Sequence, residues 1–100
     1  MEKKQETKSI AFLGAGNMAE AIIKGILGAG LFPSDALIAS DLSAERISFL
    51  RDRYKIRTTL SNREAAAQGD IIILGVKPSV VEAVLNQVSA SLTGKLLISV

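Results

Sequence analysis

Residues 9–13 form a short apolar run, Ser-Ile-Ala-Phe-Leu, that stops at Gly14. A run of that length without polar alternation suits a strand buried on both faces, as in a parallel sheet. Past Gly16 the period changes. Ala19, Ile22, Ile23, Ile26 and Leu27 recur at i, i+3, i+4, i+7 and i+8, the spacing of one helix face. Gly28 and Gly30 end that helix, and residues 31–35, with Phe-Pro-Ser-Asp, read as a loop. Leu37–Ser40 is a second strand, followed by the turn Asp41-Leu42-Ser43. Ser43 is placed to cap a helix over Ala44–Tyr54, with Glu45 in its first turn and Ile47, Leu50 and Tyr54 as a narrow apolar stripe.

Residues 57–60 predict a weaker third strand. Ser61-Asn62-Arg63-Glu64 has the spacing of a capping box and opens a short helix that stops near Gly69. Residues 70–76, around Ile-Ile-Ile-Leu, are the strongest strand in the chain. Ser79-Val80-Val81-Glu82 reads as a second capping box, with Val81, Val84, Leu85 and Val88 on one face of the helix it opens. Thr93-Gly94 is a turn, and residues 96–100 begin a fifth strand.

Regular alternation of strand and helix predicts an α/β fold, a Rossmann-like doubly wound parallel sheet truncated after the fifth strand. Residues 1–8 are polar and charged and read as a solvated leader; residues 9–100 are the domain. Ending inside an apolar strand with no closing helix, the chain is expected to be the N-terminal piece of something longer. Its apolar last strand is also expected to promote self-association.

At 100 residues, 48% hydrophobic and 22% charged, the chain has the mixture of one small globular domain. It contains no cysteine and no histidine. That excludes disulfides, thiolate metal sites, the usual zinc ligands and a Ser-His-Asp triad. A net charge of +2 is too small and scattered for nucleic acid. No secretory signal and no apolar run near membrane-spanning length is evident, so a cytoplasmic setting without membrane contact is expected.

Gly14-Ala15-Gly16-Asn17-Met18-Ala19 is G-x-G-x-x-A between a predicted strand and a predicted helix. Gly14 permits the tight turn, Gly16 lets a pyrophosphate approach the backbone, and Ala19 allows close helix–strand packing. Free N–H groups at the helix start attract phosphates. The alternative is a packing turn, with Asn17 a helix cap and Met18 plain core. Asp41 ends the second strand, where an acid grips the ribose 2′-OH and favours NAD. Ser40, Ser43 and Arg46 could answer a phosphate there instead, or the serines and Asp41 could be turn and cap residues, so these residues leave the choice of cofactor open. Gly75-Val76-Lys77-Pro78 follows the fourth strand on the rim where such sheets bind ligands, and Asn62 points to the same rim.

The run of residues 10–28, with Gly-Ala-Gly-Asn-Met-Ala-Glu-Ala-Ile-Ile and Gly25, resembles the opening of the pyrroline-5-carboxylate reductases. Ile-Leu-Gly-Val-Lys-Pro, residues 73–78, resembles that family's second cofactor segment. The resemblance implies an enzyme that reduces 1-pyrroline-5-carboxylate to L-proline in the last step of proline biosynthesis. The implied hydride donor is NADPH, with NADH as the other candidate. It implies cofactor contacts at Gly14, Ala15, Gly16, Asn17, Met18, Ser40, Asp41, Asn62, Val76, Lys77 and Pro78, and no catalytic residue or metal ligand in these 100 residues. It further implies a helical C-terminal domain, absent from this chain, that builds a homo-oligomer and much of the small-molecule substrate site. The piece alone is expected to be inactive. Hydride transfer to a protonated imine needs positioning more than acid–base help, so the lack of histidine fits. Three other readings share the glycine turn: a nucleotide-sensing module without chemistry, another reductase of the wider group, and an S-adenosylmethionine methyltransferase. The Val-Lys-Pro segment gives the sensor no particular support, and the dinucleotide-type spacing opposes the methyltransferase.

Overall fold

The computed structural model describes residues 8–100, so the expected leader, Lys8 apart, lies outside the described residues. Five parallel strands form one sheet: β1 (Ile10–Leu13), β2 (Leu37–Ser40), β3 (Arg57–Thr59), β4 (Ile71–Leu74) and β5 (Leu96–Ser99). Between them run α1 (Asn17–Gly28), α2 (Ala44–Tyr54), α3 (Asn62–Gln68) and α4 (Pro78–Val88). The sheet order is β3-β2-β1-β4-β5. The chain therefore starts in the middle, winds one way through β3, then crosses back to β4, which leaves a topological switch point between β1 and β4. This is the Rossmann-like, doubly wound sheet that the alternation predicts.

The period-2 geometry of the strands divides the core in two. Ile10, Phe12, Leu37, Ala39 and Ile73 face one side, with Ala19 and Ile23 of α1 and Leu50 of α2. Ala11, Leu13, Ile38, Ile72 and Leu74 face the other, with Ala65 and Ala66 of α3 and Val84 and Val88 of α4. Burying strands on both faces explains why β1, β2 and β4 lack polar alternation. Each fully buried Phe or Leu, such as Phe12 or Leu50, contributes about 1.5–3 kcal/mol relative to exposure.

Several boundaries differ from the sequence expectation, each for a local reason. The fourth strand spans four residues rather than the expected 70–76. Asp70 instead ties β4 to the start of β1, its Oδ2 accepting the Ser9 N–H at 2.9 Å. That bond holds the Asp70 carboxyl below its usual range. A single 3-10 turn over Ser34–Ala36 interrupts the expected loop. Ser43 caps α2 as expected, its Oγ accepting the Arg46 N–H. The first capping box forms by half. Ser61 Oγ accepts the Glu64 N–H, but the Glu64 carboxylate accepts the Thr59 hydroxyl, and the Ser61 N–H goes to Thr59 Oγ1.

The second box does not form. α4 starts at Pro78 with Lys77 as its N-cap and no side-chain cap. Proline's preset φ suits the first helical position, and it has no N–H there to leave unsatisfied. The helix therefore begins two residues before the start that Ser79 would cap.

Among the described residues, no helix is long and apolar enough to cross a membrane. β5 leaves a different mark. Leu96, Leu97, Ile98 and Val100 are all exposed beside an unpaired strand edge. Such an edge templates pairing with another chain. The weight-average mass of this chain in sedimentation should therefore rise with concentration, whereas a concentration-independent monomer would contradict that expectation. At the end of α2, Lys55 adopts the left-handed conformation at φ 62°. Lys55→Gly removes the Cβ penalty and should raise stability by about 0.5–1 kcal/mol, read from the urea midpoint.

Candidate functional site

β1 ends in a turn that is packed against the ends of both neighbouring strands. The Gly14 N–H donates to the Ser40 carbonyl at 2.9 Å, and the Gly75 N–H donates to the Leu13 carbonyl at 2.9 Å. Gly14 sits at φ +102°, and a Cβ there would lie 2.6 Å from the Gly75 carbonyl oxygen. Any other residue would force the two strand ends apart. Gly16 is the opposite case: a Cβ built there meets no atom within 4 Å. Its bare backbone faces a cleft of about 590 Å³ at the carboxyl ends of β1, β2 and β4.

Gly14, Gly16, Asp41, Asn62, Val76 and Lys77 line that cleft, so the two glycine-containing segments and both rim residues come together. The other candidates lie elsewhere. Ala15 is buried in the core beneath α1. Asn17 is the first residue of α1 rather than its cap; Gly16 holds the N-cap position and no side chain caps it. The first-turn N–H groups of α1 are thus left for an incoming acceptor. Met18 is 58% exposed rather than core. Pro78 is exposed at the start of α4. Ser40 is fully buried, and its hydroxyl donates to Asn62 Oδ1 at 2.6 Å. It orients Asn62, whose Nδ2 donates in turn to Gln87 Oε1 at 3.0 Å.

Three apolar wall residues were not anticipated: Leu42, Val80 and Val84. Val80 and Val84 carry no signal beyond an ordinary helix face. Leu42 does carry one, an apolar side chain between polar turn residues.

A second unanticipated feature is how the glycine turn is held from the β2 side. Asp41 Oδ2 accepts the Ala15 N–H at 2.8 Å, and Oδ1 accepts the Ser43 N–H at 2.9 Å. Arg46 donates through Nε to the Ala15 carbonyl and through Nη2 to Glu20 Oε1 at 2.7 Å. Its guanidinium also lies 5.2 Å from the centre of the Phe49 ring. Tyr54 donates to Glu20 Oε2 at 2.6 Å. The loop after β2 and helix α2 thus grip both the N–H and the carbonyl of Ala15.

With this geometry in view, comparison with known sequences gives a family. Residues 9–100 match the family described as NADP oxidoreductase coenzyme F420-dependent. The chain belongs to this oxidoreductase family. Within it, the sequence is similar to pyrroline-5-carboxylate reductases, as its motifs imply. The enzyme of that name from Vibrio alginolyticus is 40% identical over 96 residues, covering 95% of this chain and 35% of that protein. The chain spans about a third of the length of the curated relatives it matches. Among solved structures, a pyrroline-5-carboxylate reductase from Coxiella burnetii superposes with a TM-score of 0.88 at 30% identity, covering 95% of this chain and 36% of that one. The pyrroline carboxylate reductase of Plasmodium falciparum, solved with NADP bound, gives 0.80 at 31% identity, covering 96% and 34%.

The Glu20 cluster predicts that the domain loses stability in acid. The Tyr54 hydroxyl first, and then the Arg46 guanidinium, hold the Glu20 carboxyl below its ordinary range. A carboxylate whose folded pKa is depressed contributes stability above its unfolded value, about 4.3, and loses it as pH falls through the folded value. Melting temperature should therefore drop as pH is lowered from about 5 towards 3. Tyr54→Phe removes the largest cause, so its loss of stability relative to the parent should be greatest near neutral pH and shrink across that window.

Proposed function

We propose that this chain is the dinucleotide-binding part of a reductase that passes hydride to 1-pyrroline-5-carboxylate, giving L-proline. The observation that carries the reading is the convergence of the Gly14–Ala19 turn and the Val76-Lys77 segment on one cleft beside the switch point. Ligands of open α/β sheets bind in that crevice. The similarity to pyrroline-5-carboxylate reductases supports the substrate.

A reduced nicotinamide supplies the hydride when bound. The chain's own residues bind and orient. Bare backbone at Gly16 and the uncapped start of α1 offer N–H donors to a pyrophosphate. Ala15, Asn17 and Met18 belong to this turn as its backbone. Asp41, at the end of β2, accepts from ribose hydroxyls, and Ser40 fixes Asn62 at the rim. Lys77, exposed on the β4 side, meets a phosphate or ribose, and Pro78 fixes the backbone that presents it. Hydride transfer to a carbon whose nitrogen already bears the proton would ask of this chain's residues positioning and no general acid.

The resemblance further supports a helical domain beyond this chain, for the substrate site and for homo-oligomer formation, in the cytoplasm. The donor that the family resemblance implies is NADPH, with NADH as the alternative. The charges at the end of β2 bear on that choice.

Titration of this chain with reduced nicotinamide dinucleotide, followed by nucleotide fluorescence, tests the reading. Saturable binding is expected, with no proline formed by these 100 residues alone. Gly16→Val meets no protein atom at its Cβ, so the fold should survive while affinity falls by about tenfold or more. Binding unchanged by Gly16→Val would remove the glycine turn from the site.

A further inference from the structure

NADH and NADPH differ by one phosphate on the adenosine ribose. That phosphate carries a charge of about −1.5 to −2 near pH 7. In this fold the adenosine ribose lies beyond the end of β2, where a carboxylate selects the free 2′-hydroxyl and an arginine accommodates a 2′-phosphate. Both residue types stand near that point here, and the structure gives them different tasks.

Asp41 is on the cleft wall. Each of its oxygens is fixed by one backbone N–H and keeps a further lone pair for a hydroxyl donor. Arg46 is not on the wall. It is turned onto the Ala15 carbonyl, Glu20 and the Phe49 ring. Ser40 has given its hydroxyl to Asn62, and Ser43 caps α2. The next wall residue after Asp41 is Leu42, 90% exposed and unable to pair with anything charged. Among the described residues, the cation on the cleft wall is Lys77, on the β4 side of β1, two strand spacings from Asp41. Two such spacings are about 9.5 Å. A 2′-phosphate beyond β2 would therefore face a carboxylate with no cation to answer it.

We infer that the cleft is built for the dinucleotide without the 2′-phosphate, an inference that rests on the dinucleotide reading of the site. Asp41 accepts the ribose hydroxyls, and Leu42 holds the position where a cation would be needed. Arg46 is a positioning residue for the glycine turn rather than a phosphate ligand. NADH therefore takes the place of the NADPH that the resemblance implies.

Parallel fluorescence titrations of this chain with NADH and NADPH at fixed ionic strength test the preference. NADH should bind about tenfold or more tightly than NADPH. Leu42→Arg, at an exposed position, should narrow or reverse that ratio by strengthening NADPH. Asp41→Asn should narrow it while weakening NADH. Arg46→Ala should weaken both nucleotides together and leave the ratio unchanged. NADPH binding as tightly as NADH to the parent chain would overturn the preference and leave the dinucleotide site standing. A ratio that Leu42→Arg does not move would overturn the role given to Leu42. Loss of NADPH affinity alone in Arg46→Ala would overturn the positioning role. Binding of neither nucleotide would overturn the dinucleotide reading and the preference with it.

Discussion

Everything at the site depends on one close approach, that of the Gly14 backbone to the Gly75 carbonyl. The two strand ends can come together only because Gly14 carries no side chain, and Gly14 adopts a φ that other residues resist. Hydrogen bonds on both sides then fix the turn: Gly14 to Ser40 across to β2, and Gly75 to Leu13 across to β4. This brings the start of α1, the end of β2 and the end of β4 to a common rim. That approach joins lining residues from segments up to 70 positions apart, from Gly14 to Val84.

The two-sided core supports the rim from both faces of the sheet. α1 and α2 cover one face of the sheet, α3 and α4 the other, and β1, β2 and β4 are held between them. The polar side chains near the cleft are largely occupied with one another or with backbone: Ser40 with Asn62, Asn62 with Gln87, Asp41 with Ala15 and Ser43. Groups pinned in this way need little reordering when a ligand arrives, which lowers the entropic cost of binding. A domain that positions a hydride donor needs fixed donors and acceptors in a shaped cleft, and neither histidine nor cysteine is needed to provide them.

The fold could be read from the chain because its signals are local. Apolar runs without alternation marked β1, β2 and β4, a 3.6-residue period marked α1, and Ser43 and Ser61 marked the starts of α2 and α3. Expectation failed where two local signals competed. At α4 the Ser79–Glu82 spacing imitated a capping box, and Pro78, which suits the first helical position better, set the start. Met18, for which plain core was the alternative to a cofactor contact, is turned outward by its place in the first turn of α1. The site was read in outline, since Gly14, Gly16, Asp41, Asn62, Val76 and Lys77 do share one cleft. Its supporting bonds were not. Glu20 with Tyr54, and Arg46 with Ala15, join residues 34 and 31 positions apart on different elements. No spacing rule reaches across such distances. Which of Ser40, Asp41 and Arg46 faces the cleft is decided by those unseen bonds.

The same bonds separate two properties that strand-end residues usually combine. Asp41 carries part of the turn's architecture, because its carboxylate holds the Ala15 N–H from one side while Arg46 holds the Ala15 carbonyl from the other. A change at either position therefore disturbs the glycine turn along with any contact to a ribose. Leu42 is under no such constraint: it stands on the cleft wall, nearly fully exposed. On the inferred preference, selectivity can be altered at position 42 without reopening the turn, whereas at 41 it cannot, and a change at 46 disturbs the turn without altering selectivity. On that inference, the apolar side chain of Leu42, which makes no hydrogen bond, is the one at which the cofactor preference is free to vary.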